Sequence, residues 1–490
     1  MATTADGAAA ANHTGGRDHV VLFPFMAKGH TLPLLHFATT LSMHHRGLRV
    51  TVVTTPGNVA VVGSHVPSSV RLAVLPFPPL PTLPAGVEST DALPSLSLHP
   101  TFLRATALLR EPFAELMSSF SSPPLVLISD FFLGFTGRVA ADAGVRRVVF
   151  HGMSCFSIAL GKSAMMGPLP SCAGRGESFH VPRMPAHLKF TATEVPAVAL
   201  AKTTDHEEDD TSTMSAVDKE EYSDASSWGV LVNSFAKLDE EFVATLESFY
   251  QPDARAWLVG PLFLAAGGDI VEEQDPEGCL PWLDEQLEPV VYVSFGTQAH
   301  VVDEQLGELV RGLAQSGHPF LWAVRSGTWA PPVDVGPRGR LVRGWVPQRS
   351  VLVHRAVGGF VSHCGWNSVM ESLAAGKPVL AWPVMAEQPV NARHVADIVG
   401  AGIRMDVGDG SVVVGRAEVE KKVRRLMDAG GEEGRRIRAR AAWAQQAAMS
   451  AVGDGGTSRT ALLKLLEVLQ RSYDRDVVTH GSLIATRSGD

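Results

Sequence analysis

The stretch that decides the fold is Trp345–Gln388, WVPQRSVLVHRAVGGFVSHCGWNSVMESLAAGKPVLAWPVMAEQ. Within it Gly359–His363 is a short, continuous apolar run and reads as a buried strand. Gly365 permits a tight turn, after which Trp366, Asn367 and Ser368 open a helix. A second apolar run, Pro378–Pro383, follows. Strand, turn, helix and strand make a βαβ unit, which implies a parallel sheet covered by helices. A helix that starts at a strand's carboxyl end presents free N–H groups and a positive dipole there, where open α/β sheets bind ligands. His363 and Ser368 add donors suited to a diphosphate. Glu371, one turn along the helix, is placed to accept hydrogen bonds from ribose hydroxyls. Trp345 offers an aromatic plate, and Glu387 and Gln388 follow the second strand. Alone, Trp345 fits a core aromatic and Glu371 a surface carboxylate; together these residues suit a nucleotide carrying a polar sugar.

Outward from this stretch the same alternation fills the chain. Strands are expected at His19–Phe25, Arg49–Thr55, Val70–Phe77, Leu125–Ser129, Arg146–His151, Gly229–Phe235 and Ala256–Gly260. Others are expected at Pro289–Phe295, Pro319–Arg325, Val342–Val346, Gly359–His363 and Pro378–Pro383. Helices lie between them, one over Thr101–Phe120, and three more occupy Arg416 to Gln470. Leu262–Glu277 is rich in Gly and acid and lacks periodicity, so it reads as a linker. The expected architecture is α/β, two doubly wound domains facing each other across a cleft. Residues 1–18 form a disordered N-terminus and 19–261 the first domain. Residues 262–288 form the linker and 289–465 the second domain. A C-terminal helix or tail over 466–490 packs back on the first domain.

A length of 490 residues suits more than one core. The net charge of −9 disfavours a nucleic-acid partner. Cys155, Cys172, Cys279 and Cys364 are far apart and show no CxxC spacing, so neither a disulfide framework nor a metal site is indicated. The small, polar start MATTADGAAAANHTGGRD lacks a signal-peptide pattern, and no apolar run reaches the length of a membrane span. A cytoplasmic, monomeric protein is expected. The acidic tract Thr203–Val217 reads as a solvated loop, and the Pro- and Leu-rich Pro78–Pro100 as a long loop able to line a pocket.

Two further residues carry chemistry. His30 follows the first strand in a Gly-containing turn, and a histidine of near-neutral pKa suits removal of a hydroxyl proton. Asp130 ends another parallel strand at the same sheet edge, where it can hold the imidazole in one tautomer; its bland alternative is a helix cap. Neither half carries a convincing GxGxxG after a strand, and there is no GxxxxGK[ST] loop, so a dinucleotide or P-loop site is not indicated.

The arrangement from Trp345-Val346-Pro347-Gln348, through His363-Cys364-Gly365-Trp366-Asn367-Ser368 and Glu371-Ser372, to Glu387-Gln388 resembles the signature box of plant family 1 UDP-glycosyltransferases. The resemblance extends to FPFMAKGH near the start and implies the GT-B fold. It implies that Trp345 stacks on uracil, that the Val346 backbone bonds the base edge, and that Gln348 and Glu371 hold the ribose. His363, Gly365, Asn367 and Ser368 would hold the diphosphate, helped by Thr297 in the SFGT turn. Trp366, Glu387 and Gln388 would read the sugar. A closing Gln implies UDP-glucose as co-substrate, with no cofactor and no metal. His30 becomes the general base and Asp130 its support, giving inverting O-glucosyl transfer to a small apolar hydroxylated metabolite, flavonoid or other phenol. Phe131, Phe132, Met153 and Phe156 are the candidate acceptor pocket. Three positions depart from the family pattern: Glu387 where Asp is commoner, Ala323 where many relatives have Ser, and Lys28 where Gln or Ser is common. Open alternatives are a terpenoid or hormone acceptor, a UDP-sugar-binding protein without turnover, and a nicotinamide dehydrogenase, which the missing fingerprint weakens.

Overall fold

A computed structural model describes residues 18–45, 47–166, 169, 177–195, 224–267, 274–298, 301–406 and 413–487. The acidic tract Thr203–Val217, Cys172 and nearly all of the N-terminal segment lie outside the described residues.

The first sheet contains β1 (His19–Phe23), β2 (Arg49–Thr54), β3 (Arg71–Val74), β4 (Val126–Asp130), β5 (Arg147–His151), β6 (Gly229–Val232) and β7 (Arg255–Leu258). Their order is β3-β2-β1-β4-β5-β6-β7, and every neighbouring pair is parallel. The second sheet contains β8 (Val290–Ser294), β9 (Phe320–Ala323), β10 (Gly339–Val342), β11 (Val357–Ser362), β12 (Val379–Ala381) and β13 (Gly402–Arg404). Their order is β10-β9-β8-β11-β12-β13, again all parallel.

Central strands read as unbroken apolar runs because both faces are covered. In β1, Val21 and Phe23 pack with Phe102 and Phe113 on one face. Val20 and Leu22 pack with Leu34, Leu35 and Leu41 of the helix Lys28–His44 on the other. Each such side chain contributes roughly 1.5–3 kcal/mol on leaving water. In the second domain Val291 and Val293 pack with Leu309, Leu313 and Val423, while Tyr292 packs with Val351 and Phe360 on the opposite face.

Several elements differ from the sequence expectation. The expected strand Val342–Val346 ends at Val342, because Gly344 starts a turn and the strand itself is the half-polar edge segment GRLV. Trp345 therefore sits in a loop rather than in the sheet. The helix expected over Thr101–Phe120 is two helices, His99–Ala107 and Arg110–Ser119. β13 was too short to stand out from its surroundings. The last helix begins at Thr457, and Leu462, Leu465, Leu466 and Leu469 all enter the core built on β1 and β4. Return to the first domain thus starts before residue 466. The linker is also structured at its ends. Leu262–Ala265 is a helical turn with Leu262 in the first core, and Cys279–Asp284 is a helix with Cys279 and Leu283 in the second.

Candidate active site

In each sheet two central strands send their chains in opposite directions, which leaves a crevice at their carboxyl ends. In the first sheet these are β1 and β4, and they bring His30 and Asp130 together. His30 Nδ1 lies 2.8 Å from Asp130 Oδ2. The carboxylate is fully buried, and its Oδ1 accepts the Phe132 N–H at 3.0 Å. Buried charge needs partners; His30 and the Phe132 N–H take the two carboxylate oxygens, and the buried Arg147 guanidinium stands close by, donating to the Asp130 backbone carbonyl at 3.2 Å and to Ser129 Oγ at 2.8 Å. With Nδ1–H directed at the carboxylate, Nε2 of His30 carries the lone pair. The imidazole remains 22% exposed. Burial pulls its pKa down, but the Asp130 charge and hydrogen bond, with Glu387 and Asp91 more distant, outweigh burial and raise it above 6.5.

Phe25, Phe131 and Phe132 surround the His30 ring at centroid distances of 5.8, 5.9 and 5.3 Å. Gly152 closes another side, since a Cβ there would stand 3.7 Å from His30 Nδ1. Of the four candidate pocket residues, Phe131 and Phe132 border His30, and Met153 is partly buried. Phe156 is a correction. It is fully buried among Phe190, Phe242 and His394, because the Asp239 carboxylate accepts the Cys155 and Phe156 N–H groups and seats that helix start inside the core.

In the second sheet the diverging pair is β8 and β11. Gly296, after β8, has φ +75°, and His363 follows β11. A Cβ on either Gly296 or Gly365 would stand 2.5 Å from His363 Nε2, so the ring is boxed between two glycines. Burial lowers the His363 pKa to about 4, only partly opposed by the Ser294 backbone. The ring is therefore neutral at pH 7. Its Nδ1 is buried without a hydrogen-bond partner. Thr297 lies exposed beside Gly296. Helix Trp366–Ala374 starts directly below, with its first N–H groups free.

Gln348 Nε2 donates to Glu371 Oε2 at 2.7 Å and to Ser368 Oγ at 3.0 Å, and Gln348 Oε1 accepts from the Tyr292 hydroxyl at 3.2 Å. Trp345 is 45% exposed at the rim, whereas Val346 is buried. Trp366 is buried, and its Nε1 donates to the Asn233 carbonyl of the first domain at 2.8 Å. Its ring lies parallel to His394 at 5.6 Å. Its indole is thus committed to the domain join, which leaves only its backbone N–H for a ligand. Gln388 is buried, and its Oε1 accepts the Val384 and Met385 N–H groups at 2.9 Å each, so only its amide N–H groups remain. Burial raises the Glu387 pKa, opposed by its own backbone N–H, by His30 and by Asn391.

The two halves meet through polar contacts that sequence reasoning missed. Asn367 Nδ2 donates to the Gly29 carbonyl at 2.8 Å, beside His30. Gln298 Nε2 donates to Thr90 Oγ1 at 2.6 Å, and Ser157 Oγ to Asn391 Oδ1 at 2.6 Å. The buried Glu194 carboxylate takes Arg393 and Arg404 at 2.7 Å each. Asn367 was expected at the diphosphate and not at the domain join, and of the others Asn391 left a signal, lying one turn beyond Gln388 on the same short helix.

Two family models match successive parts of the chain. "Glycosyltransferase, N-terminal domain" matches residues 18–264, and "UDP-glucoronosyl and UDP-glucosyl transferase" matches 261–428. UDP-glycosyltransferase 90A1 of Arabidopsis thaliana is 37% identical, over 93% of this chain and 97% of its own. The chain belongs to the UDP-glycosyltransferase family. Another relative of this UDP-glycosyltransferase is the anthocyanin 3'-O-beta-glucosyltransferase of Gentiana triflora, 35% identical over 91% of this chain and 97% of that one. Among solved structures, a Glycyrrhiza uralensis enzyme complexed with glycyrrhetinic acid 3-O-monoglucuronide superposes with a TM-score of 0.83. That enzyme is 30% identical, and the match covers 96% of this chain and 99% of the other. The fold of this UDP-glycosyltransferase is therefore GT-B, and the reaction is glycosyl transfer. Among the described residues no helix is long and apolar enough to cross a membrane.

Proposed function

We propose that this enzyme transfers glucose from UDP-glucose to a hydroxyl of a small apolar phenolic metabolite, with inversion at the anomeric carbon. The observation that carries the reading is the His30–Asp130 pair, tied through Gly29 and Asn367 to the diphosphate cradle. His30 Nε2 takes the acceptor's hydroxyl proton while that oxygen attacks the anomeric carbon. The bond from that carbon to the β-phosphate oxygen breaks, and UDP leaves. Asp130 holds the tautomer and offsets the imidazolium charge. The free N–H groups opening helix Trp366–Ala374, with neutral His363, Ser368 and Thr297, take up the charge on the departing diphosphate. Trp345 stacks on the base with the Val346 backbone at its edge, and the Gln348–Glu371 pair meets the ribose. The Trp366 backbone, Glu387 and the Gln388 amide read the sugar.

Phe25, Phe131 and Phe132 around His30 favour a flat apolar acceptor. The glucosyltransferase named for anthocyanin among the relatives supports a phenolic acceptor and glucose as the sugar transferred. The test is release of UDP from UDP-glucose in the presence of a phenol panel. Release is expected with wild type and should fall by roughly 10²–10⁴ in His30→Ala, which should bind UDP as wild type does. A wild type that binds UDP-glucose but turns over no acceptor would favour a UDP-sugar-binding protein. A His30→Ala variant with the wild-type rate would remove His30 as the base.

A further inference from the structure

Lys28 opens the helix Lys28–His44, two residues before His30. Its backbone N–H donates to Asp91 Oδ2 at 2.9 Å, which fixes the root of the side chain. The next carbonyl, that of Gly29, accepts from Asn367 Nδ2 at 2.8 Å. That root therefore stands beside the N-terminus of helix Trp366–Ala374. The tip lies elsewhere: Nζ sits 5.6 Å from the centroid of the Trp345 ring. The side chain thus runs from the diphosphate cradle to the aromatic plate, along the length a nucleotide diphosphate occupies between them. It does so from the first domain, whereas the other donor-site groups come from the second. Lys28 is half-buried, and its ammonium forms no ion pair with a carboxylate among the described residues. An exposed ring face is a weak partner for a cation compared with a diphosphate.

We propose that Lys28 is a first-domain ligand for the diphosphate of the nucleotide donor, and that its ammonium turns from the Trp345 ring to phosphate oxygens when the nucleotide enters. A flexible four-carbon stem carrying a compact charge allows that movement without a backbone shift. Bound in this way, Lys28 adds a charge-assisted bridge between the domains, one that exists only with nucleotide present. The inference rests on the placement of UDP between Trp345 and Asn367 proposed above.

The experiment is calorimetric titration of UDP and of uridine into wild type, Lys28→Gln and Lys28→Arg, at low and high salt. Lys28→Gln should weaken UDP binding about tenfold, the loss of one hydrogen bond to a charged group, and should leave uridine binding unchanged. Lys28→Arg should restore most of the UDP affinity. Wild-type UDP affinity should fall more steeply with salt than that of Lys28→Gln. With UDP-glucose, KM should rise more than kcat falls. Equal UDP affinity in Lys28→Gln and wild type would overturn the inference. So would an equal loss of UDP and uridine, which would make Lys28 a support for the Trp345 ring. If wild type binds no UDP, the donor-site reading itself falls.

Discussion

At the scale of single residues, the proposed chemistry turns on a charge kept out of water. Asp130 is fully buried, held by His30, the Phe132 N–H and the neighbouring Arg147, so its charge is directed at one imidazole. Burial alone lowers a histidine's pKa, but here Asp130 reverses the outcome and carries His30 above 6.5. As the proposed base, His30 must be unprotonated to act. The pH profile of kcat/KM should therefore rise through a limb above pH 6.5 and flatten beyond it. In Asp130→Asn the charge is gone and burial dominates, so the limb should move to lower pH. The plateau should fall by roughly 10²–10⁴, because the imidazolium loses its counter-charge. A limb that stays in place would separate the profile from His30. His363, with a pKa of about 4, contributes no limb in this range.

At the scale of elements, turns matter as much as strands. Gly296 combines φ +75° with an approach of 2.5 Å between its absent Cβ and His363 Nε2. Gly296→Ala should strain the backbone by about 1 kcal/mol and push the His363 ring out of its box. UDP affinity, read by calorimetry, should drop while circular dichroism stays that of wild type; an unchanged affinity would show that the ring's position is immaterial. Elements with a strong local pattern were legible. Gly359–His363 and the helix after Gly365 appear nearly as read, because a buried parallel strand must be apolar throughout; the left-handed residue of the turn is Cys364, φ +65°, and Gly365 is needed for its close approach to His363. Edge segments were not. GRLV at β10 and GIR at β13 need cover on only part of their surface, so nothing in their composition sets them apart. The site splits in the same way. His363 and Glu371 could be read from their place around a strand end and a helix start, His30 and Asp130 gained weight only from the family resemblance, and Gln348 came from the resemblance alone. The Trp366–Asn233, Asn391–Ser157 and Glu194–Arg393 contacts join residues far apart in sequence, which no local pattern can pair.

At the scale of the whole molecule, one core cluster contains residues of both domains. Phe235 and Leu238 pack with Cys364, Trp366 and Val395. The last helix returns to the first sheet, with Leu465 fully buried against it. Leu465→Ala should cost about 2–5 kcal/mol and lower the urea midpoint of unfolding. An unchanged midpoint would detach this helix from the first domain's core. Its return also means that the backbone crosses between the domains twice, once after Gly260 and once before Ser458. The two crossings lie side by side, with the Ser458 hydroxyl donating to the Gly260 carbonyl at 2.6 Å. A body hung on a single flexible cord can twist and slide freely. One hung on two adjacent pins swings as a door does, about a single axis. Away from these crossings in sequence, Asn367 to Gly29 and Gln298 to Thr90 also fasten the two domains together. Any movement of one domain against the other must then turn about that pair of crossings and break these two hydrogen bonds.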